Sequence, residues 1–326
     1  MHIILGVDGG GSKTYAVVVD ESGNKLGSGV SGSGNHQGPG VDVALANIRQ
    51  AALDALAQAG LSPEDVSFVQ YGLAGADREY DFNILRPALA TLPFEKLDLV
   101  CDTLEGLRTG SDDNVGVVLV CGSGTNAVGR NRNGTTVQTG GFGYLFGDTA
   151  GGYHLAVETF RAAVRSVEYR EQPSLLPERV AQFLGFPSME QVITYYLDGE
   201  LEEVPADLTL VLHQAAAEGD EVSIRILEDM GRELGLAAKS VVRRLGGFDG
   251  DEFPVVLVGS VLQRGRSPHL LGALKDTVRT EYPEALFVIP EMAPVYGAIL
   301  LGMTRLDLPI TDELTKKFAA YGGYVL

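Results

Sequence analysis

Apolar residues open the chain as a block, Ile3-Ile4-Leu5-Gly6-Val7, and an alternating apolar run from Tyr15 to Asp20 follows after a few small and polar residues. Block, tight loop and alternation predict strand, loop, strand, and Glu21-Ser22-Gly23-Asn24 turns the chain into a third strand. Over 41–59, Leu45, Ile48, Ala52, Leu56 and Ala59 recur at helical spacing and Gly60 follows, which predicts an amphipathic helix with a glycine stop. Ser62-Pro63-Glu64 starts one helical turn. A strand over 66–73 then runs into Ala74-Gly75-Ala76, a helix over 82–91 leads to a strand over 97–101, and a short helical stretch follows Asp102. A new apolar start comes near Val115. Beyond it the periodicity is mostly helical: 152–167, two shorter segments, 206–218, 221–245, 268–281, 295–304 and 311–320. Strands alternating with helices in both halves predict an α/β fold with sheet cores.

The chain also repeats itself. Val7-Asp8-Gly9-Gly10-Gly11-Ser12 is echoed by Val120-Cys121-Gly122-Ser123-Gly124-Thr125, and Gly9 and Gly11 map onto Gly122 and Gly124 at one offset of 113 residues. A third variant, an apolar run into Gly259-Ser260, comes after a long helical stretch. At 326 residues and 45% hydrophobic, the chain has length for two domains with real cores. Its 25 Lys and Arg against 43 Asp and Glu leave a net charge of −18, which argues against nucleic acid and anionic membrane partners. Two cysteines, Cys101 and Cys121, exclude a disulfide framework and a four-cysteine metal site, and each sits in an apolar run as a small buried strand residue would. The start lacks a basic leader with a cleavage site, and no run approaches the length of a membrane span, so a cytoplasmic protein is expected.

Candidate chemistry begins at Asp8. It ends an apolar strand beside Gly9, Gly10, Gly11, Ser12, Lys13 and Thr14, a loop whose backbone N–H groups can approach an anion closely while Ser12 and Thr14 add hydroxyls. The loop matches neither G-x-x-x-x-G-K-[ST] nor G-x-G-x-x-G, since Thr14 stands where a third glycine belongs. Taken alone, such a loop is more often a turn than a phosphate cradle. A second loop of the same kind at Gly122, Ser123, Gly124 and Thr125 offers two cradles that could face one another. Asp8 then suits Mg²⁺, which needs few protein carboxylates when phosphates supply other ligands, although capping the turn is its plain structural alternative. Asp102, at another strand end, can accept a proton from a hydroxyl or can cap the helix after it, and both roles can hold together. His36 and His154 have no metal-ligand spacing and read as structural.

An ordered set of motifs spans most of the chain: 6–14, Asn35-His36, Leu73-Ala74-Gly75-Ala76-Asp77, Cys101-Asp102, Gly122-Ser123-Gly124-Thr125-Asn126, Gly140-Gly141-Phe142-Gly143, Gly147-Asp148 and Val258-Gly259-Ser260-Val261. In this set the chain resembles the BadF/BadG/BcrA/BcrD ATPase family, and within it the N-acetylglucosamine kinase branch of the sugar kinase, heat-shock ATPase and actin superfamily. The resemblance implies two ribonuclease-H-like (actin-like ATPase) domains with a cleft between them: 1–110 plus about 291–326, and 111–290. It implies ATP and Mg²⁺ as cofactors, an amino sugar as substrate, transfer to O6, and a homodimer. By the same resemblance Asp8 would organise Mg²⁺ through water. The loops 9–14 and 122–125 would hold the ATP phosphates, Gly259 and Ser260 would border the adenosine, and Asp102 would be the catalytic base. Asn35, Gly75, Ala76, Asp102, Asn126, Phe142 and Asp148 would line the sugar pocket, with Phe142 against a sugar face.

Three positions depart from the family pattern. Phe142 stands in place of Trp, Thr149 in place of the Glu after Asp148, and Thr103-Leu104-Glu105 in place of an Ala-rich stretch. A carboxylate lost beside Asp148 and one added at Glu105 would bear on which of N-acetylglucosamine, glucosamine or N-acetylmuramic acid is bound. Two other activities fit the same family: an ATP-driven activator of a partner enzyme, which needs thiolates for an iron–sulfur cluster at a dimer interface, and a non-catalytic ATP- and sugar-binding sensor.

Overall fold

In the computed structural model, which describes residues 2–322, the opening apolar block is the centre of a five-stranded sheet ordered β3-β2-β1-β4-β5. Met1 and 323–326, the outer limits of the expected first domain, lie outside the described residues. β1 (Ile3–Gly9), β2 (Thr14–Asp20) and β3 (Lys25–Ser31) form an antiparallel meander, and β4 (Phe68–Leu73) and β5 (Leu97–Cys101) continue the sheet parallel to β1 and β4 respectively.

β1 is buried along its whole length because both faces of the sheet are covered. Leu5, Val7, Ala16 and Val18 pack with Ile48, Ala52 and Leu56 of α1 (Val41–Ala59), while Ile4, Val17 and Val19 pack with Val295, Ile299 and Leu300 of α10 (Pro294–Arg305) and Leu314 and Phe318 of α11 (Asp312–Tyr321). Successive residues of each strand thus serve opposite faces, which is why β1 reads as an apolar block until Asp8 at its end. Gly60 ends α1 in the left-handed conformation, its N–H returning to the Ala57 and Leu56 carbonyls.

A second sheet, β10-β9-β6-β7-β8, follows the same order when read from its other edge. Its members are β6 (Gly116–Cys121), β7 (Thr125–Arg130), β8 (Thr136–Thr139), β9 (Phe253–Val258) and β10 (Ala285–Val288). β6 therefore corresponds to β1, and β9 to β4. The run before Gly259 is then not a third copy of β1, as its sequence suggested, but the counterpart of β4. Contacts divide the chain into two compact units, Met1–Val118 with Val288–Leu326, and Leu119–Phe287.

The helical elements differ most between the units. α1 and a 3-10 turn (Pro63–Asp65) link β3 to β4, whereas five helices lie between β8 and β9: α4 (Gly152–Val167), α5 (Leu176–Leu184), α6 (Met189–Asp198), α7 (Leu208–Ala217) and α8 (Glu221–Leu245). α2 (Glu79–Leu89) and α9 (Pro268–Arg279) hold equivalent places between the last strands, and α3 (Asp102–Arg108) follows β5. α2 starts three residues before the periodicity predicts. Asp81 accepts from the Arg78 N–H and also binds the Arg78 guanidinium, which caps the helix ahead of its first apolar residue.

Candidate functional site

The parallel register aligns the ends of three strands in the first unit. Asp8 pairs with Gly72, Gly72 with Val100 and Leu73 with Cys101, so Asp8, the turn after Leu73 and Asp102 share one sheet edge. This carboxyl edge is where open α/β sheets bind ligands. Asp8 is 8% exposed. Burial above all, then the Asp102 charge, pushes its pKa up to about 7, against the opposing effects of a Glu105 hydrogen bond and the Lys13 charge.

Asp102 does not cap α3. Cys101 holds that place in extended conformation, and Asp102 is already the first helical residue. It is part-exposed, yet loss of water around its carboxyl, above all, pushes its pKa up to about 6, the Cys101 thiol and Thr103 N–H pulling down and Asp77 pushing up. Glu105 lies one turn further along α3 and is fully buried. Its carboxyl occupies the space that Gly72 leaves: a Cβ there would stand 2.0 Å from Glu105 Oε2, and one at Gly297 would stand 2.0 Å from the Glu105 carbonyl oxygen. Among the described residues no N–H or O–H group donates to either Glu105 carboxyl oxygen. The Asp8 carboxyl is its neighbour, and burial, then Asp8 and Asp102, lift it well above the carboxylate range, so the pair holds a proton. Glu105, expected to bear on sugar choice, faces the interior instead.

Crowded carboxyls with raised pKa values are costly to a fold and typical of functional sites. They also suit a cation. Among the described residues no three His, Cys, Asp or Glu side chains are grouped to hold a metal by themselves. Asp8 alone fits Mg²⁺, because that ion keeps waters and takes phosphate oxygens.

In both units the loop after the first strand turns its amides outward by the same device. The Gly10 carbonyl accepts from the Gly34 N–H (3.1 Å) and the Ser33 hydroxyl (3.3 Å). A trans peptide points its N–H opposite its C=O, so the Gly11 N–H faces away from that anchor. In the second unit the first amides of α4 bind the loop, Gly152 N–H to the Gly122 carbonyl (2.7 Å) and Tyr153 N–H to the Ser123 carbonyl (3.1 Å). The N–H groups of Ser123 and Gly124 therefore both point away from α4. Ser12 and Ser123 are exposed beside them. Gly11, Gly122 and Gly124 have ordinary negative-φ backbones, and a Cβ on any of them would meet nothing within 4 Å among the described residues. Packing does not demand glycine at these places, whereas Gly72 and Gly297 are demanded by Glu105.

Four expected phosphate groups are engaged elsewhere, among them the Gly122 N–H, which donates to the Gly124 carbonyl (2.9 Å), and the Thr125 hydroxyl, which donates to the Val120 carbonyl (3.1 Å). Thr14 is buried and its hydroxyl donates to the Gly32 carbonyl (2.9 Å), so it closes the loop and does not reach outward. Gly10 N–H donates to the Lys13 carbonyl (2.9 Å) within the turn. Gly259 has φ +97 and lies over Cys121, where a Cβ would come 2.4 Å from the Cys121 carbonyl oxygen. This packs the turn 259–260 onto the strand end that starts the loop 122–125.

The expected sugar residues gather within each unit. In the first, a Cβ on Gly75 would stand 2.6 Å from Asn35 Oδ1, Ala76 is buried beside it, and Cys101 Sγ lies 3.1 Å from Asp77 Oδ1 and 3.2 Å from Asp102 Oδ1. Asn35, Gly75, Ala76 and Asp102 thus share one edge. In the second, a Cβ on Gly141 would stand 2.8 Å from Asn126 Cγ, and Asp148 Oδ2 accepts from the N–H groups of Phe142 (2.7 Å) and Gly143 (2.6 Å). Asp148 holds the loop 140–148 in shape, a role its sequence setting did not suggest. Phe142, Tyr144, Leu145 and Phe146 all stand exposed on that loop, Leu145 at 88%. His36 Nε2 lies 3.4 Å from buried Asp81, in keeping with a structural role.

The chain resembles known proteins over most of its length. It is 28% identical over 309 residues to the N-acetylmuramic acid/N-acetylglucosamine kinase of Clostridium acetobutylicum, covering 94% of this chain and 100% of that one. It is 28% identical over 314 residues to the N-acetyl-D-glucosamine kinase of Dictyostelium discoideum, covering 93% and 98%. A solved structure from Chromobacterium violaceum superimposes with a TM-score of 0.68 at 24% identity, over 92% of this chain and 99% of that one. A ROK family glucokinase from Streptomyces griseus does so with a TM-score of 0.59 at 17% identity, over 93% and 98%. These likenesses establish the fold as that of the actin-like ATPases and sugar kinases. The sequence profile of the BadF/BadG/BcrA/BcrD ATPase family matches residues 5–302, and the chain belongs to that family.

Proposed function

We propose that the protein is an ATP-dependent kinase that transfers the γ-phosphoryl group to an amino sugar, N-acetylglucosamine at O6 first among the candidates. The names of both full-length relatives support the substrate class. The observation that carries the reading is the outward-facing amides on an anchored, glycine-rich loop in each unit, together with the strand edge of the first unit that bears Asp8 and Asp102.

Phosphoryl transfer asks a protein mainly for positioning and charge neutralisation. The amides of Gly11, Ser123 and Gly124 take phosphate oxygens, with Ser12 and Ser123 hydroxyls beside them. Asp102 receives the proton of the attacking sugar hydroxyl, and a pKa of about 6 leaves it ionised at neutral pH yet basic enough to take that proton. Asn35, Gly75, Ala76, Asn126, Phe142 and Asp148 hold the sugar, and Gly259 and Ser260 border the adenosine. Asp8 would hold Mg²⁺ through water, and the ion would neutralise phosphate charge when bound. No helix among the described residues is long and apolar enough to cross a membrane, and the reading includes a homodimer in the cytoplasm.

Both thiols are buried, Cys101 at 7% and Cys121 at 0% exposure, which leaves an activator's interfacial cluster without surface thiolates. A coupled assay of ADP release over hexoses, amino sugars and N-acetyl sugars tests the proposal. Release that depends on an amino or N-acetyl sugar supports it. A flat response with ATP bound would make the protein a sensor.

A further inference from the structure

The two cysteines have very different surroundings. Cys121 Sγ touches the thioether of Met230 at 3.9 Å and behaves as a small apolar side chain. Cys101 Sγ lies 3.1 Å from Asp77 Oδ1 and 3.2 Å from Asp102 Oδ1, close for contacts involving sulfur. A thiol carries one proton, so it donates to one of these carboxylates at a time. The donor is weak, but a charged acceptor strengthens it. Burial and the two neighbouring carboxylates keep the thiol protonated.

We propose that Cys101 is a positioning residue: its S–H holds Oδ1 of Asp102, fixing the carboxylate for the incoming hydroxyl, while Asp77 competes for the same proton. The proposal rests on the reading of Asp102 as the base. It extends that reading to a residue that touches no substrate. When Asp102 takes the substrate proton its demand for the thiol falls, and the S–H turns toward Asp77 Oδ1. Asp77 on the turn after β4, Asp8 at the end of β1 and Glu105 on α3 are the charged or titratable groups facing Asp102, and Lys13 acts on Asp8.

Opposite shifts follow. Cys101→Ala removes a donor that favours the Asp102 anion, so kcat falls about 3–10-fold and the acid limb of kcat moves up by roughly half to one pH unit, with both KM values held. Cys101→Ser keeps a donor and restores most of the rate. Asp77→Asn removes a repelling charge, and the acid limb moves to lower pH. A mere packing role for Cys101 gives no such pair. The infrared S–H stretch, assigned by its loss in Cys101→Ala, reports the bond without turnover; in an Asp77→Asn background, which removes the competing carboxylate, it shifts to higher frequency when Asp102→Asn is added. An unmoved acid limb in Cys101→Ala, with Asp102→Asn inactive, overturns the proposal alone, as does an unmoved S–H band. Full turnover in Asp102→Asn overturns the base assignment beneath it.

Discussion

In the first unit the strand before the glycine loop carries Asp8 near its end; 113 residues on, the matching strand of the second unit ends in Cys121. The sheets share one strand order, and both loops are anchored by their carbonyls. The first unit adds carboxyls at this sheet edge, with Glu105 seated over Gly72 and Asp102 at the neighbouring strand end. Backbone amides need little from side chains, so a duplicated loop keeps its outward-facing amides with few constraints on sequence. Buried carboxyls need tailored surroundings from distant segments, as Glu105 does from Gly72 and Gly297. Under the proposed function both loops hold phosphate and the first unit takes the proton.

The largest expected effect falls on that asymmetry. Asp102→Asn should lower kcat by roughly 10²–10⁴ with little change in either KM, measured by steady-state ADP release. Next come the glycines. Gly11→Val and Gly124→Val should each raise the KM for ATP about tenfold or more through loss of charged hydrogen bonds, while melting temperatures stay near wild type. Gly297→Ala should do the reverse, destabilising by about 1–3 kcal/mol through overpacking against the Glu105 carbonyl. Equal loss of stability in Gly11→Val and Gly297→Ala would erase the distinction between ligand-facing and packing glycines.

A third effect is on pH and stability. Asp8 titrates near 7 in the folded chain against 3.8 as a free side chain, so the folded state binds its proton more tightly. Its contribution to stability is greatest below pH 4 and is lost as pH rises through 7. Thermal melts of the ligand-free protein should show this, and Asp8→Asn should raise stability at pH 8 by on the order of 1–4 kcal/mol while abolishing turnover. The smallest effect is expected at Cys121. Cys121→Ala should cost about 1 kcal/mol for its small cavity and leave turnover within twofold, in contrast to Cys101→Ala.

Much of this was legible in the sequence, for local reasons. α1, α4 and α8 take the predicted bounds because period and end signals sit together: Gly60 closes α1, and Asp220 caps α8 by accepting from the Ser223 N–H. The strand-end positions of Asp8 and Asp102 were readable from the apolar runs before them. The burial of Glu105 was not, because it depends on Gly72 and Gly297, far away in the chain. Nor was the Cys101 contact, since Asp77 reaches it only through the β4–β5 register. The roles of Asp148 and Thr14 within their own loops depend on turn geometry that residue types alone do not specify.

The most direct measurement is phosphorus NMR of the enzyme with ATP, Mg²⁺ and N-acetylglucosamine. The account predicts a sugar phosphomonoester resonance growing in step with ADP, and none in Asp102→Asn over the same period. ADP accompanied only by inorganic phosphate, or no ADP with any amino sugar, would contradict it.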